Sequence, residues 1–258
     1  CTALGTTHIS ANPRNRFRFR KAHDCGPGRC AHNETMIIRF ALAAIALVVS
    51  VGGGAATTRK PAMPPAPVVF PDTVRVALTT AVGTIIIELD HKHAPISTAN
   101  FMRYVDQKRL DGIVFYRVMR LAFGDQPNGL IQAGARGDPK RVLPPIAHEP
   151  TSLTGLKHRK GAISMARFAP GTATADFSIL VSDLPGLDAG ANPNDPAGYA
   201  VFGYVAEGMD VVRRIYDSPL SPTQGSGVLK GQMIEAPVKV LTVRRIKETA
   251  AGAATENK

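Results

Sequence analysis

The sequence predicts a mainly β domain, a closed eight-stranded antiparallel β-barrel capped by two α-helices. Three observations favour this fold: about eight short strand-like runs, frequent turn residues between them, and only two stretches with helical spacing of apolar residues. The 24 glycines and 20 prolines are typical of a chain with many turns. A closed barrel also removes the exposed strand edges that so many short strands would otherwise present.

The first two strands are predicted to form a hairpin. VRVALTT (74–80) and TIIIELD (84–90) are β-branched runs separated by the turn residues 81–83. Pro95 suits the start of a helix, and apolar residues recur at helical spacing after it. We therefore expect the first helix over residues 96–107.

Five further short runs have strand character and are set off by Gly, Pro and Asp. They are IVFYRVM (113–119), LIQAG (130–134), AISMA (162–166), FSILVSD (177–183) and AVFGYV (200–205). A second helix is predicted from Gly208 to Tyr216, because its apolar residues lie on one face. PVKVLTVRRI (237–246) closes the domain as a long strand.

The N-terminal part of the chain differs in character from the domain at residues 73–246. Residues 36–56 combine one arginine, an apolar run and small residues, as a secretory signal peptide does. The apolar run at 40–51 is shorter than the about 20 residues that cross a membrane, so we expect cleavage and a periplasmic protein. An inner-membrane anchor is the alternative. Residues 1–35 are rich in arginine, and we expect a non-native or disordered upstream extension, with Met36 as the true start.

Two further segments are expected to lack regular structure. Residues 57–72 carry five prolines and are predicted to be a semi-extended linker, which would act as a membrane tether if the anchor is retained. Residues 247–258 are small and polar and are expected to be a disordered tail.

Charge and composition argue against several classes of function. The net charge is +11, but the first 56 residues hold seven basic and two acidic residues, which leaves 24 basic and 18 acidic residues, or +6, for the rest. We therefore expect no nucleic-acid partner. All three cysteines lie in the first 30 residues, so no thiol chemistry is expected in the domain. His91 and His93 lie at a turn without further ligands at metal-binding spacing, so we expect no metal site. We also expect a monomer that needs no cofactor.

Four segments in a fixed order carry a resemblance to a known family. They are Phe115-Tyr116-Arg117, similar to Phe-His-Arg; Gly129-Leu130-Ile131-Gln132, similar to Gly-Phe-Met-x-Gln; GAISMARFAPGTATADFSI (161–179); and Val201-Phe202-Gly203 with Glu207-Gly208-Met209. The chain thus resembles the cyclophilin-type peptidyl-prolyl cis/trans isomerases, in a divergent exported bacterial subgroup. The resemblance covers residues 73–246 and implies the barrel fold, prolyl isomerase activity on proline-containing polypeptides, and no cofactor.

The resemblance implies that Arg117 is the catalytic residue. Rotation about an X-Pro bond breaks amide resonance, and the twisted nitrogen gains a lone pair that a charged guanidinium can bind. The chemistry needs no nucleophile, metal or acid–base pair. The alternation of apolar and polar residues in FYRVM predicts that Phe115 and Arg117 share one face of the strand.

The resemblance also implies a set of substrate-binding residues. Gln132 is expected to bind the substrate backbone, and Met165 with Ala166 to pair with the bound peptide as an added strand. The whole predicted set is Tyr116, Leu130, Gln132, Met165, Ala166, Arg167, Asp176, Ser178, Leu187 and Tyr199.

Several of these positions depart from the family pattern. The departures are Tyr116 and Tyr199 for His, Arg167 for Asn, Asp176 for Gln, Ser178 for Phe, and Gly186-Leu187 for Trp-Leu. A pocket phenylalanine has no certain counterpart, with Leu130 nearest and Phe123 available if its loop folds back. Asp176 is expected to pair with Arg117, or equally with Arg167.

The altered pocket leaves two other functions open. The first is a catalytically weak or inactive peptide-binding chaperone or assembly module of the cell envelope, which Ser178 favours. The second is a structural domain of an envelope complex, suggested by the proline-rich linker. Turnover that depends on Arg117 would exclude the first alternative, and recovery of one stoichiometric partner from envelope fractions would support the second.

Overall fold

A computed structural model describes residues 70–246 of the chain. The strands are β1 (Thr73–Thr80), β2 (Gly83–Asp90), β3 (Val114–Arg120), β4 (Gly129–Gly134), β5 (Ala162–Met165), β6 (Phe177–Leu180), β7 (Val201–Glu207) and β8 (Met233–Arg245). The helices are α1 (Pro95–Asp106), α2 (Thr151–Thr154) and α3 (Met209–Tyr216), with single 3-10 turns at Pro185–Leu187 and Gly227–Leu229.

The eight strands close into an antiparallel barrel in the order β1-β2-β7-β5-β6-β4-β3-β8. The predicted fold is therefore confirmed. The predicted hairpin is β1–β2, whose register runs without interruption from Thr73 opposite Asp90 to Thr80 opposite Gly83.

Alternation of side chains builds the core inside the barrel. In β1 the buried residues are Val74, Val76, Leu78 and Thr80, every second position, as expected for a strand with one face on the core. The main core cluster joins these side chains to the apolar face of α1. Phe101 of α1 lies 5.4 Å from Phe177 and 5.5 Å from Phe202, measured between ring centroids.

Helix α1 begins at Pro95, one residue before the predicted start, and a distant carboxylate caps it. Glu149 is buried, and its two oxygens accept the N–H groups of Ile96 at 2.8 Å and Ser97 at 2.6 Å. A negative charge at this end of a helix is favourable because the first N–H groups have no partners within the helix. Glu149 thus fixes the segment before α2 onto α1.

Helix α3 closes on the barrel beside β2 and β4. It begins at Met209, directly after Gly208, whose φ of +90° and closeness to the backbone of Thr84 both require glycine. The prediction of 208–216 was correct to within one residue. Helix α2 was not predicted, because four residues are too few to show a periodicity.

The segments predicted as extension, signal peptide and tail, and the linker up to residue 69, lie outside the described residues. Within residues 70–246, no helix has the length and apolar character needed to cross a membrane.

Candidate active site

A pocket of about 140 Å³ opens on the side of the barrel formed by β3, β4, β5 and β6. It is lined by nine of the eleven predicted site residues and two others: Arg117, Met119, Leu130, Gln132, Ser164, Met165, Ala166, Arg167, Ser178, Leu187 and Tyr199. Residues far apart in the chain are therefore gathered at one place by the barrel.

A row of polar side chains crosses the pocket from strand to strand. In register, Ser164 of β5 faces Ser178 of β6, Ser178 faces Gln132 of β4, and Gln132 faces Arg117 of β3. Directly opposite residues on neighbouring strands have side chains within contact distance. The row ends in the guanidinium of Arg117, so the number of hydrogen-bond donors on each side chain increases from the two serines towards β3.

An apolar row runs beside the polar row. Met119 of β3 faces Leu130 of β4, and Leu130 faces Leu180 of β6. These residues and Leu187 belong to a second apolar cluster of the protein. The pocket thus combines an apolar side that fits a proline ring with a polar side that fits a peptide bond.

Leu130 and Phe123 were the two candidates for the missing pocket phenylalanine. Leu130 lines the pocket, whereas Phe123 is 69% exposed and does not line it. Gly129, next to Leu130, has no room for a side chain, because a Cβ there would lie 1.9 Å from the Met119 carbonyl oxygen. Because Leu130 lines the pocket and Phe123 does not, the apolar side of the pocket is aliphatic.

Two glutamines hold the guanidinium of Arg117. Its Nε–H donates to Gln232 Oε1 and its Nη1–H to Gln132 Oε1, both at 2.8 Å. Nη2 makes no hydrogen bond with the described residues. Burial lowers the pKa of Arg117, but arginine starts so far above neutrality that it remains charged. A fixed cation with free donors therefore faces the pocket.

A β-bulge sets the direction of Arg117. The registers of β3 with β4 and with β8 both shift between Phe115 and Arg117, so Tyr116 is an extra residue. Phe115 packs in the barrel core, whereas Arg117 lines the outer pocket. The prediction that these two residues share a face was wrong, because the bulge reverses the alternation.

Tyr116 and Asp176 form a pair that does not line the pocket. Tyr116 OH donates to Asp176 Oδ2 at 2.8 Å, and the N–H of Arg136 donates to Asp176 Oδ1 at 3.0 Å. Burial and the nearby carboxylate raise the pKa of Tyr116, so the phenol keeps the proton that it donates. Both expected ion pairs of Asp176, with Arg117 and with Arg167, are absent from residues 70–246, since this carboxylate is occupied by other donors.

Arg167 lines the pocket with its donors already engaged. It donates to both oxygens of Asp195 at 2.8 and 2.9 Å and to the Gly198 carbonyl, and its guanidinium lies 4.6 Å from the Tyr199 ring centroid. Only 2% of the side chain is exposed. Arg167 therefore fixes the segment around residues 195–199 against the end of β5.

The backbone after β5 is also largely engaged. The N–H of Met165 donates to Ala200 O and that of Ala166 to Asp176 O, both at 2.9 Å. Because these donors are used, an added peptide strand would have to pair with the N–H and the carbonyl of Arg167, which point to the same side of an extended chain. Neither of those groups is paired within the described residues.

Beneath Ser164 lies a buried hydrogen-bond chain that the sequence did not suggest. His158 Nε2 is 2.9 Å from Ser164 Oγ, and its Nδ1 is 2.7 Å from Asp188 Oδ1. This Ser-His-Asp order resembles that of hydrolases, but such chemistry also needs free N–H groups beside the serine. The two N–H groups that follow Ser164 are already paired, so the chain is a brace between β5 and the segment that carries Leu187.

Comparison with known proteins identifies the class of protein. The family model described as cyclophilin type peptidyl-prolyl cis-trans isomerase/CLD matches residues 75–244. The chain therefore belongs to the cyclophilin-type peptidyl-prolyl cis-trans isomerases, a family of enzymes.

Relatives from several bacteria share this assignment. The chain is 38% identical over 173 residues to a peptidyl-prolyl cis-trans isomerase of Acinetobacter baylyi, covering 66% of this chain and 84% of the relative. It is 37% identical over 147 residues to peptidyl-prolyl cis-trans isomerase A of Dickeya dadantii, covering 55% and 71%. A crystal structure of a Cryptosporidium parvum cyclophilin has the same fold, with a TM-score of 0.54 and 20% identity over 69% of this chain and 99% of that one.

Proposed function

We propose that this isomerase acts on exported polypeptides and that Arg117 stabilises the twisted prolyl amide. X-Pro bonds in unfolded chains are about 10–30% cis and interconvert in tens to hundreds of seconds, which slows folding. An enzyme accelerates this step by binding the twisted amide more tightly than the planar one.

The observation that carries the proposal is the fixed guanidinium beside an aliphatic wall. Arg117 is held at Nε and Nη1 while Nη2 is free of partners in residues 70–246, and Met119 and Leu130 lie next to it in the pocket. A proline ring against the aliphatic wall would bring its nitrogen towards the guanidinium. A hydrogen bond to a charged group contributes about 1.5–3 kcal/mol, or roughly one to two powers of ten in rate.

Gln132 is proposed to hold the carbonyl before the proline. Its Oε1 accepts from Arg117, so the amide orientation is set and Nε2 is left to donate to a substrate. The polar row and the open backbone of Arg167 would then orient the rest of the peptide. A structure of the Cryptosporidium parvum protein was obtained in the presence of the dipeptide Ala-Pro, which supports a proline-containing ligand.

The test is a protease-coupled X-Pro isomerisation assay on residues 57–258 with an Arg117→Ala variant. We expect acceleration by the wild type and a loss of at least about ten-fold in kcat/KM for the variant. Arg75→Ala is the matched control, because Arg75 lies on β1 and does not line the pocket. Acceleration that survives Arg117→Ala would reject the role of Arg117. No acceleration from a folded protein that still binds proline peptides would favour the peptide-binding module.

Export is a second part of the proposal. It is supported by the apolar run at 40–51 followed by small residues up to position 56. We expect the mature protein in the periplasmic fraction with its N-terminus near residue 56, where it would assist the folding of exported chains. N-terminal sequencing after fractionation tests this. Recovery of an uncleaved chain in membranes would indicate the anchor, and a cytoplasmic uncleaved chain would contradict export.

A further inference from the structure

We infer that Gln232 is a positioning residue for the isomerase reaction, one that orients Arg117 without touching the substrate. This inference deepens the proposed function and rests on it. Gln232 lies directly before β8, 115 residues from Arg117 in the chain, and does not line the pocket.

The hydrogen bond between Gln232 and Arg117 restricts the orientation of the guanidinium. Gln232 Oε1 accepts the Nε–H of Arg117 at 2.8 Å. The guanidinium is planar and its donors point in fixed directions, so a bond at Nε together with one at Nη1 fixes the plane and its rotation. Gln132 alone, at Nη1, would leave the plane free to turn about that bond. Two acceptors from different parts of the chain, one on β4 and one directly before β8, are needed to aim Nη2.

Gln232 is itself held in one orientation. Its Nε2 donates to the Val228 carbonyl at 2.8 Å, so the opposite amide atom, Oε1, faces Arg117. Its backbone N–H donates to Leu229 O at 3.1 Å, and its carbonyl accepts from Val118 N–H at 2.9 Å. The 3-10 turn at Gly227–Leu229 therefore fixes Gln232, and Gln232 fixes Arg117.

This arrangement predicts a division of effect between binding and turnover. Loss of Gln232 leaves the other pocket-lining side chains in place but lets the Arg117 guanidinium rotate away from the reacting nitrogen. Because positional precision matters for the twisted state more than for the planar one, kcat should fall while peptide affinity is unchanged.

The experiment compares Gln232→Leu, of similar size, with Gln224→Ala in the same loop. Gln224 is exposed and its side chain makes no hydrogen bond within residues 70–246. For Gln232→Leu we expect kcat about three- to ten-fold lower, with the Kd for a proline peptide changed less than about two-fold. Gln224→Ala should match the wild type. In an Arg117→Ala background, Gln232→Leu should have no further effect.

A spectroscopic measurement keeps the inference testable whatever the activity. In ¹⁵N NMR spectra the Nε–H signal of Arg117, identified by its loss in Arg117→Ala, should exchange slowly in the wild type and rapidly in Gln232→Leu. Slow exchange retained in Gln232→Leu would overturn the inference. So would a fall in kcat caused by Gln232→Leu that is as large in the Arg117→Ala background as in the wild type. An inactive wild type whose Nε–H loses protection in Gln232→Leu would reject the proposed function but leave the positioning role standing.

Discussion

The β1–β2 and β3–β4 hairpins use the same antiparallel pairing for different purposes. The first pairs eight residues of each strand without interruption and turns over two residues. The second contains the bulge at Tyr116, and a long connection separates its strands. One extra residue in β3 keeps Phe115 in the core while it turns Arg117 out to the pocket. A regular hairpin stabilises the barrel, whereas a bulged one supplies a functional side chain.

The largest expected effect of a substitution is on the stability of the regular hairpin. Ile87 of β2 is fully buried in the core, and Ile87→Ala should lower the free energy of unfolding by about 2–5 kcal/mol, since it leaves a cavity. Urea denaturation measures this loss. The kcat/KM of the folded enzyme should remain within about two-fold. A fall in kcat/KM of more than about two-fold, measured at a temperature at which Ile87→Ala is fully folded, would contradict the assignment of the β1–β2 hairpin to stability and of the β3–β4 hairpin to function.

Tyr116→Phe tests the bulge itself. The substitution removes the hydroxyl that donates to Asp176, and we expect a loss of about 1.5–3 kcal/mol in the free energy of unfolding, because the bond is partly buried and involves a charged acceptor. Since neither residue lines the pocket, kcat/KM should change less than about two-fold. Denaturation and the coupled assay on the same preparation check both values. A large loss of activity with unchanged stability would return Tyr116 to the substrate-binding set.

The same contrast explains what the sequence could predict. The β1–β2 hairpin and both main helices were predictable because their signals are local: a period of two, a period of 3.6, and Pro95 and Gly208 at helix starts. Strand β8 begins at Met233 rather than 237. The predicted strand started at Pro237, whereas in the structure Pro237 lies inside β8.

The candidate site was predictable only in its parts. Nine of the eleven expected residues line the pocket, because motif order places five of them on β3, β4, β5 and β6 and the other four on the segments that follow β5 and β6. The direction of Arg117 depends on a bulge defined by pairing with two other strands, which no local pattern reveals. Gln232 and His158 were missed for a related reason: their partners lie up to 115 residues away, and neither belongs to a motif.

The smallest expected effect concerns pH and the brace behind the pocket. Burial lowers the pKa of His158, against a smaller opposing effect of Asp188, and Lys157 lies 3.7 Å from the same carboxylate. At pH values between the lowered pKa of His158 in the folded protein and the usual histidine pKa of about 6.5, the unfolded chain binds the proton more readily than the folded one. The stability contributed by neutral His158 is therefore complete above about pH 6.5 and is lost as pH falls through the folded pKa.

Denaturation at several pH values between 7 and 5 measures this contribution as a difference in slope between wild type and His158→Gln. We expect the wild type to lose up to about 1.4 kcal/mol more per pH unit than the variant, the limit for one proton. The variant corrects for the carboxylates, which titrate in both proteins. A protonated His158 could no longer accept the hydrogen bond from Ser164. The contact between β5 and the segment around Leu187 should therefore be lost before the β1–β2 hairpin unfolds. Equal slopes would mean that protonation of His158 costs the folded protein nothing and would contradict a stabilising role for its neutral form.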